Sequence, residues 1–287
     1  MLFSDLTDCL INMHTNKNIR IIESGSDSFT FYISQLWASR KLAITLFYRD
    51  VKVKFAQTLM GIAWVLIQPA MYVLLFSLMF GYALGWKAGH IPYPLYALSG
   101  LLIWNLFSYI VANGASGMKE NASIIRNIPF PRTLILISKC FTGALDFAIG
   151  FGIYLVLMVV YGAYPEWKVL LFPFVCVGIC ITSLGFVFWI SAFIIKYRDL
   201  MHAIPFLLFV GIWTTPVFIT PHVLPAQVSS VFFFNPISGW IELARFCLFD
   251  SWHFNLLYLP SMALSWLFAL LGLYVFVRNE SYLADYI

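Results

Sequence analysis

The chain has 287 residues, of which 61% are hydrophobic and 10% are charged, and its formal net charge is +4. Average soluble proteins carry roughly 25% charged residues, and a soluble domain of this size has too small an interior to hide so much apolar surface. The composition therefore excludes an ordinary cytosolic enzyme, a disordered chain and a disulfide-stapled secreted module, and it indicates the bilayer as the solvent. The small and scattered positive charge gives no support to nucleic-acid binding.

The N-terminal part of the chain divides into a polar extension and an amphipathic segment. Residues 1–28 carry several charges and no apolar core segment, which predicts a cytoplasmic extension and no signal peptide. Residues 29–51 have apolar side chains near helical spacing with basic ones between them, which predicts an interface helix on the inner leaflet. Its candidate interface residues are Trp37, Arg40 and Lys41. The alternative is a positively charged flank without a mechanical role.

Six apolar segments follow, and a hydrocarbon core of about 30 Å needs roughly 20 helical residues to be crossed. The sequence therefore predicts an all-α integral membrane protein in which residues 29–287 form one six-span transmembrane domain. The predicted spans cover residues 61–85, 94–116, 140–163, 170–195, 202–220 and 254–277.

The distribution of basic residues orients these spans. Of the 17 lysine and arginine residues, only Lys87, Lys168 and Arg245 fall in connections on the side opposite the N terminus. Cytoplasmic connections are enriched in lysine and arginine, and an even number of spans places both termini on one side. Both termini are therefore predicted to be cytoplasmic.

The fifth apolar segment is too long for a single span. Residues 200–241 carry no formal charge, but Pro221 and Pro225 interrupt the helical pattern. We expect a short re-entrant hairpin that dips back from the outer face between spans 5 and 6, since such backbone is tolerated where protein or water covers it. A plain amphipathic external loop is the alternative.

Two cytoplasmic connections could transmit force. Residues 118–126 predict a short polar helix, and Pro129 and Pro131 then end it and direct the next span. This compact charged segment suits docking of a cytoplasmic partner, and residues 196–200 could form a smaller second contact. The candidate coupling residues are Met118, Lys119, Glu120, Asn121, Ser123, Arg126, Arg198 and Asp199.

Motifs of catalytic and metal chemistry are absent from the sequence. There is no phosphate-binding Gly-x-x-x-x-Gly-Lys-Ser/Thr loop, no His-Glu-x-x-His and no Gly-x-Ser-x-Gly, and the five cysteines lack metal-ligand spacing. We therefore predict no catalytic residue, no metal site and no cofactor bound by this chain. Any ATP-driven work would need a separate motor.

Asp146 is the one carboxylate well inside a predicted span. An ionisable residue at membrane depth is a functional hypothesis by default. Because Asp146 stands alone among apolar neighbours, we expect it to have a structural partner, either Lys139 or a neighbouring helix. The alternative is a proton- or ion-coupled carrier that works without a motor.

Aromatic side chains are the remaining candidates for chemistry. Sugar rings expose C–H faces that can stack on aromatic rings, so walls lined by aromatic residues suit the passage of a polymer of sugars. The alternative is that these side chains face lipid or pack in the core. The candidate translocation residues are Trp64, Tyr72 and Phe76 in span 1 and Phe206, Phe209 and Trp213 in span 5.

A set of short motifs stands in order along residues 30–280. They are YRDVKVKF at 48–55, GIAW at 61–64 followed by Pro69, LLIWNLF at 101–107, the segment 121–132 that ends in PFPR, KYRDL at 196–200, and FNP at 234–236. The ordered set resembles the permease subunit of bacterial ABC polysaccharide exporters of the Wzm type.

This resemblance implies a homodimer of six-span subunits in the bacterial inner membrane. It also implies two copies of a cytoplasmic ABC ATPase that bind ATP and Mg²⁺, and a lipid-linked polysaccharide as cargo. The expected function is therefore that of an export permease, with O-antigen preferred over capsule or teichoic acid. The rival hypotheses are a membrane-embedded glycan-modifying enzyme, a lone carrier that depends on Asp146, and a drug or small-lipid exporter.

Overall fold

The computed structural model describes residues 29–56, 63–83, 85, 91–128, 130–194, 199–221 and 225–280. Helices dominate these residues, which contain no β-strand, so the predicted all-α class is confirmed there. The helices are α1 (Phe29–Ala38), α2 (Arg40–Ala56), α3 (Ala63–Phe76), α4 (Tyr93–Glu120), α5 (Ala122–Asn127), α6 (Thr133–Val160), α7 (Phe172–Ile194), α8 (Leu200–Gly211), α9 (Ala226–Phe234), α10 (Pro236–Leu248) and α11 (Leu259–Arg278).

Short stretches of tighter or wider helix extend several of these elements. A π-helical segment, Ser77–Ala83, continues α3. Single 3₁₀ segments precede α7 at Trp167–Leu171, follow α8 at Ile212–Thr214 and precede α11 at Leu256–Tyr258.

Among the described residues, four helical segments are long and apolar enough to cross a membrane, and they overlap predicted spans 2, 3, 4 and 6. They are Tyr93–Glu120, Thr133–Val160, Trp167–Ile194 and Leu256–Arg278. Two shorter apolar helices, Ala70–Tyr82 and Leu200–Thr214, overlap predicted spans 1 and 5. The structure thus fits a multi-pass membrane protein, and the count of six spans stays a prediction.

Helix α4 lies at the centre of the bundle. It packs against α3, α6, α7, α8 and α10, and 78% of its most apolar stretch is buried. Close approach to α7 depends on Gly114, where a Cβ atom would lie 2.7 Å from the side chain of Val187. The remaining long helix, α11, packs on α7 at the outside of the bundle.

Helix α8 is shorter than the predicted fifth span. The chain leaves helical geometry at Thr215, which has φ −122° and ψ 149°. Pro216 follows, and the residue before a proline is disfavoured in the α region. The hydroxyls of Thr214 and Thr215 donate to the carbonyls of Gly211 and Ile212, both at 2.8 Å, so they satisfy the acceptors at the helix end.

The segment after α8 returns to the bundle as α9 and α10. Asn235 caps α10 by accepting a hydrogen bond from the amide of Ile237 at 3.0 Å, and Pro236 occupies its first turn. Helix α10 packs on α4, α7 and α11 and buries the ring of Trp240. The indole of Trp240 donates to the hydroxyl of Thr182 at 3.0 Å. Helix α10 is therefore part of the core.

The ring of Trp240 packs directly against Gly178 on α7. A Cβ atom at Gly178 would overlap that ring, whereas one at Gly152 on α6 would meet nothing within 4 Å. We predict that Gly178→Ala destabilises the protein by about 1–3 kcal/mol, the usual cost of overpacking a core. The matched control Gly152→Ala should be neutral or slightly stabilising. Thermal unfolding in detergent measures both, and equal melting temperatures would contradict this packing.

Candidate functional site

The predicted interface helix is two helices, because the chain turns at Ser39 between α1 and α2. Trp37, Arg40 and Lys41 all lie at this joint with exposed side chains. The guanidinium of Arg40 lies 5.3 Å from the centre of the Trp37 ring and donates to the Trp37 carbonyl at 3.1 Å. The joint thus presents an aromatic and cationic surface, and its contact with lipid stays a prediction.

Helix α2 packs along α6, where ion pairs join the two helices. Lys54 forms an ion pair with Asp146, and its ammonium group also lies 4.4 Å from the centre of the Tyr109 ring. Asp146 therefore has the structural partner that we expected, on a neighbouring helix. The other suggested partner, Lys139, is engaged elsewhere.

Lys139 bridges two carboxylates from two different helices. Its ammonium group lies 3.1 Å from Asp50 on α2 and 3.0 Å from Glu120 at the end of α4. The side chains of Lys139 and Asp50 are each less than a tenth exposed. The carboxylate of Asp50 also accepts from Arg49 at 2.7 Å. We call this group the inner charge cluster, and its members are Arg49, Asp50, Lys54, Glu120, Lys139 and Asp146.

The coupling segment differs from its prediction by a break in the helix. Helix α4 continues to Glu120, and α5 begins after the turn at Asn121. Asn121 is buried, and its side-chain amide donates to the carbonyl of Gly117 at 2.7 Å, which stabilises the turn. A single helix over 118–126 is therefore wrong, because an asparagine side chain competes with the backbone for that carbonyl.

The candidate coupling residues divide into structural and exposed positions. Met118 and Asn121 are buried and hold the turn. Asp199 is exposed where α8 begins, and Arg198 lies outside the described residues. The residues on the exposed side of the turn are Lys119, Glu120, Ser123 and Arg126.

A second polar contact ties the start of α6 to both ends of the described chain. The Glu280 carboxylate accepts from the backbone amide of Arg132 at 2.6 Å, and the hydroxyls of Tyr32 and Thr133 lie 2.7 Å apart. Burial raises the pKa of Glu280 above its ordinary value, although hydrogen bonds from Arg132 and Tyr32 act in the opposite direction. Three elements, α1, α6 and the end of α11, thus meet at one carboxyl group.

The aromatic residues predicted to line a pathway lie on the surface of the single chain. Phe206, Phe209 and Trp213 follow one another at helical spacing along α8 and its 3₁₀ extension, and all three are exposed. Tyr72 is also exposed. The structure therefore brings these four into no enclosed path within one chain. The side chains of Trp64 and Phe76 lie outside the described residues.

An apolar cavity of about 360 Å³ lies on the inner side of α8, between α4 and α7. Trp104, Phe107 and Phe186 contribute to its wall, and Asn235 is its polar margin. None of the predicted pathway residues lines it. The wall suits hydrocarbon and offers few hydrogen bonds to a sugar, so the cavity is a poor candidate for a polysaccharide path.

Sequence analysis missed a buried ion pair on α10. Arg245 is fully buried, lies 2.9 Å from Glu242 and stacks on the Tyr96 ring at 3.6 Å from its centre. It also donates to the carbonyl of Val217 at 3.0 Å, and Trp252 donates to Glu242 at 2.8 Å. Two opposite charges three residues apart in an apolar segment were the signal that could have found it. We call these residues, together with Ser99, the outer ion-pair cluster.

The rim of this outer region carries a second, exposed ion pair. Lys168 lies 2.7 Å from Asp250 and 5.2 Å from the centre of the Phe246 ring. The hydrogen bond from Lys168 lowers the pKa of Asp250 below its ordinary value. Exposed pairs of this kind contribute little to stability.

Within the described residues, no group of three His, Cys, Asp or Glu side chains is placed to hold a metal ion. The geometry instead gives two polar clusters, at opposite ends of α4, that hold helices in register. A family model described as ABC-2 type transporter matches residues 41–249, which include the inner charge cluster and every member of the outer ion-pair cluster except Trp252. The chain therefore belongs to the ABC-2 type transporter family. The matched region of this ABC-2 chain contains the turn between α4 and α5 and the whole of α10.

Curated relatives of this ABC-2 chain carry names from polysaccharide export. The O-antigen export system permease protein RfbA of Myxococcus xanthus is 29% identical over 186 residues, which cover 64% of this chain and 70% of the relative. A protein of the same name from Klebsiella pneumoniae is 22% identical over 252 residues, 85% of this chain and 94% of the relative. The polysialic acid transport protein KpsM of Escherichia coli is 23% identical over 256 residues, 84% and 94% of the two chains. The resemblance to polysaccharide exporter permeases is thus confirmed.

Removal of Arg245 should be costly because it leaves the Glu242 carboxylate buried without its cationic partner. We predict that Arg245→Met lowers the free energy of unfolding by about 3–5 kcal/mol. The double change Glu242→Leu with Arg245→Met should recover part of this loss, since an apolar pair leaves no buried charge. Thermal unfolding in detergent is the measurement, with the exposed Arg278→Met as control. Equal melting temperatures for the two arginine variants would contradict the assignment.

The pH dependence of stability should depend on Glu280. Because the folded state raises its pKa, the fold favours the neutral carboxyl, and this contribution is lost as the pH rises through the folded pKa. We predict that Glu280→Gln, which stays neutral and can still accept from Arg132, melts above the wild type at about pH 8 and converges with it near pH 4.5. The exposed Asp199→Asn is the control. A difference that does not change with pH would refute this account.

Proposed function

We propose that this chain is the membrane-spanning permease subunit of an ATP-driven exporter that moves lipid-linked polysaccharide across the inner membrane. O-antigen is the first candidate cargo. The family match over residues 41–249 carries the proposal. The names of the relatives supply the cargo class, since two of those described above are O-antigen export permeases and one transports polysialic acid. Capsular polysaccharide is the second candidate cargo, which the match to KpsM favours.

The proposed architecture is a homodimer of six-span subunits with cytoplasmic termini. The exposed aromatic face of α8, formed by Phe206, Phe209 and Trp213, supports a dimer because a second copy could complete a path that one chain leaves open. Aromatic faces suit sugar rings, which pack against them through C–H groups. Helices α9 and α10 are then the outer re-entrant hairpin, and the burial of α10 supports this assignment.

The proposed motor site is the exposed side of the turn between α4 and α5. Lys119 is exposed near the end of α4, and Ser123 and Arg126 are exposed on α5, the short helix that joins two predicted spans. A cytoplasmic ATPase that binds ATP and Mg²⁺ would dock there, and its contacts must differ between its nucleotide states to shift the permease. The joint at Trp37 and Arg40 is the proposed lipid contact beside it.

The proposal predicts which protein and which glycan accompany this chain. A tagged chain, isolated in mild detergent from its native cells, should recover an ABC ATPase in equal amount, with two copies of each subunit. Deletion of the gene should leave a lipid-linked glycan inside the cell, and its composition distinguishes O-antigen from capsule. Mass spectrometry and glycan analysis are the measurements.

A variant and a control sharpen this experiment. Lys119→Glu should lower ATPase recovery several-fold, whereas Arg278→Glu, exposed at the end of α11, should leave it unchanged. A wild-type chain that recovers no ATPase, while a control exporter stays intact, would overturn the proposal. The lone carrier and the membrane enzyme would then be the leading hypotheses.

A further inference from the structure

The charges that join α2 to α6 alternate in sign along both helices. On α2, Asp50 and Lys54 lie one helical turn apart, and on α6 their partners Lys139 and Asp146 are seven residues apart. A slip of α2 by one turn in one direction would place Lys54 against Lys139, and a slip in the other direction would place Asp50 against Asp146. Like charges at such positions repel strongly when water is scarce. The pattern therefore fixes the register of α2 on α6.

Apolar packing alone does not fix the register of α2 on α6. The buried apolar residues of α2 are Ala43 and Leu46, and the ring of Phe47 meets Phe141 edge-on at 6.3 Å between centres. The side chains of Ile44, Tyr48 and Val53 are exposed. Because these apolar contacts are not directional, the ion pairs specify the register of α2 on α6.

Lys139 extends this attachment to a third helix. One carboxylate oxygen of Glu120 accepts from Lys139 at 3.0 Å, and the other accepts from the hydroxyl of Ser116 at 2.6 Å. Glu120 is the last residue of α4 and stands directly before the turn at Asn121 that leads into α5. The same ammonium group thus holds α2 through Asp50 and the coupling turn through Glu120.

We infer that Lys139 is a positioning residue that makes α2 move together with the turn before α5. A displacement of α5 is then passed through Glu120 and Lys139 to Asp50, so the amphipathic helix and the third span shift as one body. This inference rests on the proposed function, because the displacement would come from an ATPase docked beside Glu120.

The test compares two variants of Lys139 in the reconstituted complex with its ATPase. Lys139→Met keeps the length of the side chain and removes its charge, whereas Lys139→Arg keeps a cation that can bridge two carboxylates. We expect the Met variant to bind the ATPase and hydrolyse ATP as the wild type does, while polymer exported per ATP falls about tenfold, within the usual range of coupling effects. The Arg variant should restore export.

A distance measurement separates positioning from general stability. Spin labels at the exposed residues Val53 on α2 and Asn127 at the end of α5 can be introduced as noncanonical amino acids, which spares the native cysteines. In the wild type we expect one narrow distance distribution that is the same with and without ATP. In the Met variant it should broaden or shift with nucleotide. Lys168→Met is the matched control. It breaks the exposed ion pair with Asp250 and should change neither export per ATP nor the distance distribution.

Glu120→Ala is the second variant, for the case in which loss of Lys139 prevents folding. Glu120 is half exposed, so its removal should leave the fold intact while it breaks the same link at the coupling turn. Because Glu120 also lies on the exposed side of that turn, ATPase binding is measured first, and export and distances are compared at equal occupancy. Normal export per ATP and an unchanged distance distribution in either variant would overturn the inference alone. Failure of the wild-type chain to bind any ATPase would overturn the proposed function and, with it, this inference.

Discussion

Each charge buried between the helices of this chain needs a partner on the protein, because hydrocarbon supplies neither water nor counter-ions. Lys139 and Arg245 meet this constraint in different ways. Lys139 bridges carboxylates from two other helices, whereas Arg245 is enclosed by Glu242, the Tyr96 ring and backbone carbonyls. Both therefore fix the relative positions of helices that apolar packing alone would hold less specifically.

Helix α4 connects the two clusters. Tyr96 and Ser99 lie near its start and contact Arg245, and Glu120 at its end contacts Lys139. Tyr96 and Ser99 precede Glu120 by 24 and 21 residues, so these contacts are about 32–36 Å apart at 1.5 Å per residue. Because α4 is buried along most of its length, the inner charge cluster and the outer ion-pair cluster are joined by one rigid element. A permease driven from one face of the membrane requires such a connection to the other face.

The aromatic face of α8 and the apolar cavity behind it both bear on where a sugar polymer can pass. The aromatic face of α8, which includes Phe206 and Trp213, points outward, and the half-open cavity behind α8 is almost wholly apolar. The described part of one subunit offers a sugar chain no suitable path. This arrangement is consistent with a pathway that forms only when two copies come together, and it explains why aromatic composition alone could not tell pathway residues from packing residues.

Composition and local pattern determined the helical membrane class, the order of the apolar segments and the polar character of residues 118–126, because these depend on neighbours in the sequence. The break at Asn121 and the early end of α8 at Thr215 became visible only in the backbone geometry of the structure. Only the tertiary structure decided that Lys54 is the partner of Asp146, 92 residues away, and that Arg245 reaches the Tyr96 carbonyl, 149 residues away. Such pairs depend on which helices become neighbours, and helix packing is a property of the whole chain that no local pattern encodes.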